Sequence, residues 1–396
     1  MAVQLKWPWL GIAIPCFLIS FIGYNAHYFI FTNYMTKRNQ WWFQFYLTMV
    51  WISYYLAIKK SPGTPPPNFQ PEPNEWRKWC RKCNNYKPER SHHCKTCKIC
   101  VLVMDHHCPW TANCVGYQNM PHFIRFLGWV VFTTSYVLLQ ICKRFYFFYQ
   151  NRNLPSYLFK KTEIVFAVIL FFMDTLVLVT VSALLFRTLY HITFTGMTTI
   201  ESWEHERLED QFYTNRLWRK IAYNYYQFHK KKLPALKSWT NITGKNDERL
   251  DSMSNELAET ECPTSPEYQF DDDENLVPDQ FTIDDIIFPY DTGYWSNLTN
   301  TLGPIYEWVL PWGCPHGTGY YFSKSDFYQD DQLTIPWPID GNHTLKPDQD
   351  SKDTATSSSY QLSPYKLDDE PSPRNTDWSN DFGERMDDFG VDTDVE

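Results

Sequence analysis

Charged and readily protonated residues are scarce in the long apolar runs of this sequence. The chain has 396 residues, and of its Asp, Glu, Lys, Arg and His side chains only His27, Arg125 and Asp174 lie within or at the edge of the four longest apolar runs. Channels and transporters line their paths with such groups, so this scarcity gives weak support to either class. Asp174 lies inside its run, and the sequence leaves a functional and a structural role equally open for it.

A small-residue cleavage site is also missing from the first apolar run, at about residues 10–31. The run is longer than a signal-peptide core and a second run follows closely, so we expect a membrane helix and no cleaved leader. Spanning a bilayer takes about 20 helical residues. Further runs of this kind lie at about residues 41–58, 123–142 and 164–185. Buried core helices are the alternative, but aromatic residues flank the runs as they do at membrane interfaces.

Positive charge is sparse in the last third of the chain, where only eight Lys and Arg residues follow Asn241. Acidic clusters such as residues 271–274 recur there, so the net charge of −9 belongs to this part. We expect disorder over residues 245–278 and from residue 340 onward, because acidic, Ser-rich segments bury too little apolar surface to fold. Residues 288–312 between them are aromatic and are candidates for docking onto the folded part.

Basic residues concentrate in the loop between the second and third runs, which holds ten Lys and Arg. Loops rich in Lys and Arg stay in the cytosol, and an even number of spans then places both termini there. The loop after the third run carries five cations and argues the other way. We find no internal repeat of fixed period. The predicted fold is an all-α membrane protein with four transmembrane helices and a cytosolic, loop-rich Cys/His segment between helices 2 and 3.

Seven of the eleven cysteines lie between Cys80 and Cys114, together with four histidines. Mixed Cys and His at two-residue spacings indicate metal binding in a reducing compartment, which favours the cytosolic orientation of this loop. A closed zinc site takes four N or S ligands, so two Cys3His sites would use six Cys and two His. One cysteine then remains free, and the spacing alone does not identify it. A zinc scaffold that tethers a partner is the alternative to a reactive thiol.

The segment from Cys80 to Gly116 reads CRKCNNYKPERSHHCKTCKICVLVMDHHCPWTANCVG. Its C-x2-C, HC-x2-C-x2-C, DHHC-x-W and NC-x-G elements resemble, in order, those of the DHHC family of protein S-acyltransferases. The resemblance implies that Cys108 is the nucleophile that carries the acyl group. It also implies two structural zinc ions with these ligand sets: Cys80, Cys83, His93 and Cys100 for one, and Cys94, Cys97, His107 and Cys114 for the other.

The chemistry of the DHHC element supports a reactive Cys108. A thiol attacks a thioester as the thiolate, and a free Cys with a pKa near 8.5 needs a nearby base. Zinc held by three thiolates is formally anionic and has no open position, so it would not help. His106 is the expected proton acceptor, with Asp105 orienting its imidazole, whereas His107 is expected to face metal.

The family resemblance also implies the reaction and its setting. Palmitoyl-CoA would be the acyl donor, and cytosol-facing cysteines of membrane proteins, such as amino-acid permeases or chitin synthase, the acceptors. The layout resembles the fungal endoplasmic-reticulum subfamily, which implies that membrane, and nucleic acid is not an expected partner. Arg81, Lys82, Lys95, Lys98 and Arg125 are candidates for pairing with CoA phosphates, although each is more often a solvated charge.

Two further family elements are present. Thr198, Thr199 and Glu201 match TTxE, which we interpret as packing against the catalytic segment, and the DPG element reads Ser61, Pro62 and Gly63. The expected domains are residues 1–58 (helices 1 and 2), 59–122 (the zinc segment), 123–190 (helices 3 and 4) and 191–396 (the cytosolic C-terminal region).

Overall fold

A computed structural model describes residues 7–238, 275–308, 310–329, 332–344, 346 and 378–393. Most of the chain expected to be disordered, including residues 245–274 and 347–377, lies outside the described residues. Residues 378–393, which composition placed with the disordered tail, instead contact the zinc segment, and Met386, Phe389 and Val391 are buried there.

Four long helices form the membrane part. They are α1 (Trp9–Tyr34), α2 (Lys37–Lys59), α3 (Met120–Gln150) and α4 (Lys161–Thr195), and α1 and α4 each contain a π-helical turn. Within the described residues, α1, α3 and α4 are long and apolar enough to cross a membrane. Helix α2 is less apolar, because it opens with the sequence Lys-Arg-Asn-Gln and is rich in Trp and Tyr. The chain is therefore a multi-pass membrane protein.

The helices pack closely through apolar side chains. Ile22, Phe31, Phe43, Val137 and Leu170, from all four helices, belong to one buried cluster. A Cβ on Gly23 of α1 would lie 2.6 Å from the Leu47 side chain of α2. Small residues allow such close approach between membrane helices.

The zinc segment folds into three two-stranded antiparallel hairpins, which the loop-rich prediction did not include. They are β1 (Lys78–Cys80) with β2 (Asn85–Lys87), β3 (His92–Cys94) with β4 (Ile99–Val101), and β5 (His106–Cys108) with β6 (Asn113–Val115). Each hairpin begins 14 residues after the previous one, at residues 78, 92 and 106. The conclusion that the sequence has no repeat of fixed period is therefore wrong for this segment.

The backbone of the three hairpin turns repeats as well. Asn84, Lys98 and Ala112 occupy equivalent turn positions, and each has a positive φ, of 51°, 57° and 48° respectively. The Cys and His residues do recur at this period in the sequence, as in the two His-His-Cys triplets at residues 92–94 and 106–108, and the inspection of the sequence overlooked them because most other positions differ.

The C-terminal region packs against the zinc segment through α5 (Thr199–Gln211), α6 (Asn215–His229) and α7 (Tyr294–Leu302). A large apolar cluster joins Trp76 to Trp218, Phe281 and Ile335. The predicted docking of residues 288–312 is confirmed, because Leu302 of α7 and Trp308 pack beside Cys108 and the start of α3.

Candidate active site

The first predicted ligand set is brought together by two hairpins. Cys80 and Cys83 come from the end and turn of the first hairpin, and His93 and Cys100 are directly opposed on the second. The His93 Nδ1 atom lies 3.4, 3.3 and 3.7 Å from the three sulfur atoms of Cys80, Cys83 and Cys100.

The second set repeats this arrangement one hairpin later. Cys94 and Cys97 come from the second hairpin, and the opposed pair His107 and Cys114 comes from the third. The His107 Nδ1 atom lies 3.7, 3.4 and 3.5 Å from the sulfur atoms of Cys94, Cys97 and Cys114. Tetrahedral Zn²⁺ with bonds of about 2.3 Å to sulfur and 2.0 Å to nitrogen separates its ligand atoms by about 3.5–3.8 Å. Both groups therefore fit zinc.

The repeat explains why Cys108 belongs to neither group. In the third hairpin Cys108 holds the position that Cys80 and Cys94 hold in the first two, 14 residues apart in each step. Each earlier pair of turn cysteines is completed by the His and Cys of the following hairpin. The structure describes no fourth hairpin after β6, and Thr111 stands where the second cysteine of the turn would be. Cys108 is thus a zinc-type cysteine without the other half of a zinc site.

Asp105, His106 and Cys108 lie together at the start of the third hairpin. The His106 Nδ1 atom is 2.7 Å from Asp105 Oδ2, and the imidazole lies beside the Cys108 thiol, close enough for their charges to interact. Cys108 is 4% exposed and packs against Met120, Phe123 and Ile124 at the inner end of α3. The three residues are placed as a nucleophile, a base and an orienting acid would be in a site that activates a thiol.

The electrostatics of the site favour the charged forms of these groups. Burial would raise the pKa of the Cys108 thiol, but the hydrogen bond and positive charge of His106 outweigh it and lower that pKa. Burial likewise opposes a charged His106, yet hydrogen bonds to Asp105 and Cys108 raise its pKa to about 10. Burial would raise the pKa of Asp105, and the contacts with His106 and Thr199 lower it. Both shifts favour the thiolate form of Cys108 and the imidazolium form of His106.

Sequence reasoning missed the role of Thr199. Its backbone N–H donates to Asp105 Oδ1 at 2.8 Å, and its hydroxyl donates to Asp105 Oδ2 at 2.9 Å. The TTxE element therefore contacts a residue of the proposed catalytic group, whereas we interpreted it as packing only. Thr198 and Glu201, three residues apart, indicate the start of a helix, here α5. They do not indicate the contact between Thr199 and Asp105.

Glu201 of the same element forms a buried ion pair with Arg90. Arg90 donates to both carboxylate oxygens of Glu201 at 2.6 Å and to the Gly196 carbonyl at 2.9 Å. Its guanidinium also lies 4.6 Å from the centre of the Tyr290 ring. Arg90 thereby joins the zinc segment, the end of α4 and the C-terminal region.

The third hairpin is tied to α2 at several points. The Tyr54 hydroxyl donates to the Trp110 carbonyl at 2.8 Å, and Asn113 Nδ2 donates to the Lys60 carbonyl at 2.8 Å. After α2, the Gly63 N–H donates to Ser61 Oγ at 3.2 Å, so Ser61 supplies a turn acceptor where the family element has Asp.

Most of the candidate phosphate-binding cations have other partners. Lys82 and Lys95 pair with Asp392 and Asp387, and Arg125 donates to the carbonyls of Leu310 and Gly313. These contacts argue against a primary role of the three in binding CoA.

Arg81 and Lys98 are exposed and remain candidates for pairing with CoA phosphates.

Asp174 is fully buried, and neither of its carboxylate oxygens has a hydrogen-bond partner among the described residues. It does not form part of the cluster around Cys108, and both interpretations of it stay open.

Comparison with known proteins agrees with this site. A family model described as DHHC palmitoyltransferase matches residues 73–206. The chain is 45% identical over 408 residues to Palmitoyltransferase PFA4 of Debaryomyces hansenii, which covers 100% of this chain and 96% of that protein. It is 42% identical to the PFA4 protein of Saccharomyces cerevisiae and 41% identical to that of Candida albicans, with 100% of each chain covered in both cases.

Fold, site and likeness together define a membrane-bound protein S-acyltransferase. The chain belongs to the DHHC palmitoyltransferase family. Its two Cys/His groups are suited to zinc, and palmitoyl-CoA fits as the donor for such an enzyme.

Proposed function

We propose that this enzyme transfers palmitate from palmitoyl-CoA to cysteines of membrane proteins through a thioester on Cys108. The observation that carries the proposal is the environment of Cys108. Its thiol lies outside both metal-binding groups and beside His106, whose Nδ1 atom is 2.7 Å from Asp105 Oδ2.

In the first step the Cys108 thiolate attacks the carbonyl carbon of palmitoyl-CoA. A new C–S bond forms, the C–S bond to CoA breaks, and the CoA thiolate takes a proton from His106. In the second step a substrate thiol gives its proton to His106, attacks the acyl-enzyme and releases the Cys108 thiolate. One thioester replaces another in each step, so no other energy source is needed.

A small cavity of about 50 Å³ lies between the four long helices. Its lining is apolar apart from two threonines and comes from all four helices: Leu18, Ile19, Ile22, Gly23, Leu47, Val50, Val130, Thr133, Thr134, Val137 and Val177. A methylene buried there gains about 0.8 kcal/mol, but a whole palmitoyl chain fits only if the helices move apart.

We also propose that α2 is the fourth membrane span. Its 23 residues extend about 34 Å, enough for a hydrocarbon core of about 30 Å. One face packs on the other helices, while Trp41, Phe45 and Tyr55 on the other face are 75%, 47% and 60% exposed. Apolar and aromatic side chains on an outer face suit lipid. Four spans would put both termini and the zinc segment on one side of the membrane, and the Lys- and Arg-rich zinc segment favours the cytosol for that side.

The finer assignments belong to the same proposal. The layout favours the endoplasmic-reticulum membrane and polytopic acceptors such as amino-acid permeases or chitin synthase, on the likeness to the fungal subfamily. The domain limits at residues 1–58, 59–122, 123–190 and 191–396 follow the helix pairs that flank the zinc segment. The eight Cys and His of the two groups are assigned as zinc ligands, and Asp105, His106 and Cys108 as catalytic residues.

Labelling the purified protein with radioactive palmitoyl-CoA tests the function. We expect hydroxylamine-sensitive label on the wild type and a loss of at least about 100-fold in Cys108→Ser, because the serine hydroxyl is a far weaker nucleophile. Cys314→Ser is the matched control, since Cys314 is an exposed free thiol and should not be needed.

The zinc content of each variant should stay at two ions per chain. Persistent label on Cys108→Ser would contradict the proposal. A tethering scaffold, the rival function, predicts no label on either protein.

A further inference from the structure

The end of the described chain pairs with the zinc segment through an isolated β-bridge. We name residues 378–393 the C-terminal clasp. Val391 pairs with Cys94 in an antiparallel bridge. The Asp392 N–H donates to the His93 carbonyl at 2.8 Å, and the Lys95 N–H donates to the Gly390 carbonyl at 3.0 Å. The clasp thus satisfies backbone groups on the free edge of β3, a strand that supplies ligands to both metal groups.

Three consecutive clasp residues contact ligands of both groups. Asp392 Oδ2 lies 3.9 Å from His93 Nε2, the ring nitrogen opposite the Nδ1 atom that faces the sulfur atoms. Val391 pairs with Cys94 of the second group. A Cβ on Gly390 would lie 2.6 Å from the Cβ of His107, also in the second group.

Position 390 is suited only to glycine. Its φ is +85°, which side chains rarely adopt, and His107 occupies the space a side chain would need. The backbone of the clasp therefore lies in direct contact with His107, a ligand of the second metal group.

Apolar packing and charge hold the clasp in place. Met386, Phe389 and Val391 are buried in one cluster with Ile200 and Trp203 of α5. Lys82 and Lys95, which flank the turn cysteines, form ion pairs with Asp392 and Asp387. The Trp203 indole donates to the Glu384 carbonyl at 3.0 Å.

The same apolar cluster extends to the residues next to Asp105 and Thr199. Met104 belongs to it and precedes Asp105, and Ile200 belongs to it and follows Thr199, which hydrogen-bonds Asp105. Loosening the clasp therefore loosens both sides of the Thr199–Asp105 contact.

We propose that the C-terminal clasp retains zinc in both metal groups, and that Asp392 is a positioning residue for the zinc ligand His93. At 3.9 Å Asp392 does not hydrogen-bond His93 directly, but its negative charge favours a proton on Nε2 and leaves the Nδ1 lone pair for the metal, as hydrogen-bonded carboxylates do at such histidines. Through the shared cluster the clasp also packs against Met104, directly before Asp105 and the strand β5. No acyl transfer enters this inference, so its test is independent of the proposed function.

The test measures zinc release from the purified full-length protein into a chromogenic chelator. Asp392→Asn keeps the size of the side chain and removes its charge, and we expect one of two ions to leave about 10- to 100-fold faster. Gly390→Val should speed the release of the ion held by His107.

Two control variants separate the clasp from its surroundings. Lys82→Gln removes one of the ion pairs that hold the clasp but leaves Asp392 beside His93, so release should speed up less than in Asp392→Asn. Phe382→Ala alters a clasp side chain that is 74% exposed and should behave as wild type.

Removal of residues 378–396 should speed the loss of both ions, and a peptide of that sequence added in trans should slow it again. If this truncation does not fold, the two point variants decide, since both keep the rest of the chain. Wild-type release rates in both Asp392→Asn and Gly390→Val would overturn the proposal.

Discussion

Asp105 is held by partners from two distant parts of the chain. His106 is its neighbour, but Thr199 is 94 residues away and contributes both a backbone N–H and a hydroxyl. Three donors around one buried carboxylate fix its orientation, and this in turn fixes the imidazole that serves Cys108. The rigidity of the site therefore depends on a residue outside the DHHC element.

Thr199→Val tests this at the level of a single atom. Valine keeps the shape and the backbone N–H but removes the hydroxyl that donates to Asp105. A hydrogen bond to a charged group contributes about 1.5–3 kcal/mol, so we expect the autoacylation rate to fall about 10- to 100-fold.

Thr199→Ser restores the donor and should restore most of the rate. The concentration of palmitoyl-CoA at half-maximal rate should stay unchanged, because Thr199 acts through Asp105 and not on the substrate. A wild-type rate in the valine variant would show that the hydroxyl contact is not needed.

At the scale of elements, the three hairpins show how a zinc module yields a reactive thiol. Each metal group takes two turn cysteines from one hairpin and an opposed His and Cys from the next. The last hairpin therefore presents Cys108 at the equivalent position, and the described part of the chain holds no fourth hairpin that would complete a site. Both metal groups fix the backbone around it without using it.

Thr111→Cys tests the repeat, because it restores the second turn cysteine of the third hairpin. We expect two zinc ions per chain and no third, since no further His and Cys pair is presented. Elemental analysis of the purified variant measures this directly. A third bound zinc would show that the turn alone is sufficient and that our account of Cys108 is incomplete.

The Arg90–Glu201 pair links elements that are far apart in sequence. Both side chains are buried and bonded bidentately, and removing one partner leaves the other charge without compensation. We expect Arg90→Gln to destabilise the protein by about 3–5 kcal/mol, measured as a lower unfolding temperature in detergent.

The double variant with Glu201→Gln should be less destabilised than the sum of the two single variants, since both act on one contact. Arg81→Gln at an exposed position should change stability by no more than about 0.5 kcal/mol. Additive effects of the pair would contradict a direct coupling.

At the scale of the whole molecule, the zinc segment lies between the two helix pairs in the sequence, and in the fold the C-terminal region packs against it. Orientation in the membrane then decides which compartment supplies the substrates. Asn297 and Asn342 lie in N-x-S/T glycosylation sequons, and they differ in how well they test the orientation in the membrane. Asn297 is 4% exposed and its amide donates to Asp291 and Thr193, so a glycan could not be attached in this fold, whereas Asn342 is exposed.

Thiol labelling in sealed microsomes tests the four-span orientation. Cys314 is exposed in the C-terminal region and should react with a membrane-impermeant maleimide added outside. In a Cys314→Ser background, Arg152→Cys in the loop after α3 should react only after detergent is added. Immediate reaction at position 152, or protection of Cys314, would contradict this orientation, as would a glycan on Asn342.

The sequence by itself determined the local chemistry of this protein. Apolar runs identified the three helices that meet the membrane criterion, since bilayer thickness dictates their length. The Cys/His spacings identified metal chemistry, because ligands two residues apart share a turn. The family resemblance pointed to Cys108, the chemistry of thiol activation pointed to His106 and Asp105, and the structure places these residues together.

Only the tertiary structure decided how distant segments meet. The contact of Thr199 with Asp105, the pairing of Arg90 with Glu201 and the contact of the C-terminal clasp with both metal groups join residues about 90 to 300 positions apart. Local patterns carry no signal for such pairs, because chain folding and not spacing sets their distance. The 14-residue repeat was overlooked for another reason. Its Cys and His ligands recur in the sequence, but most other side chains differ, and the shared strand register and turn geometry are visible only in the fold.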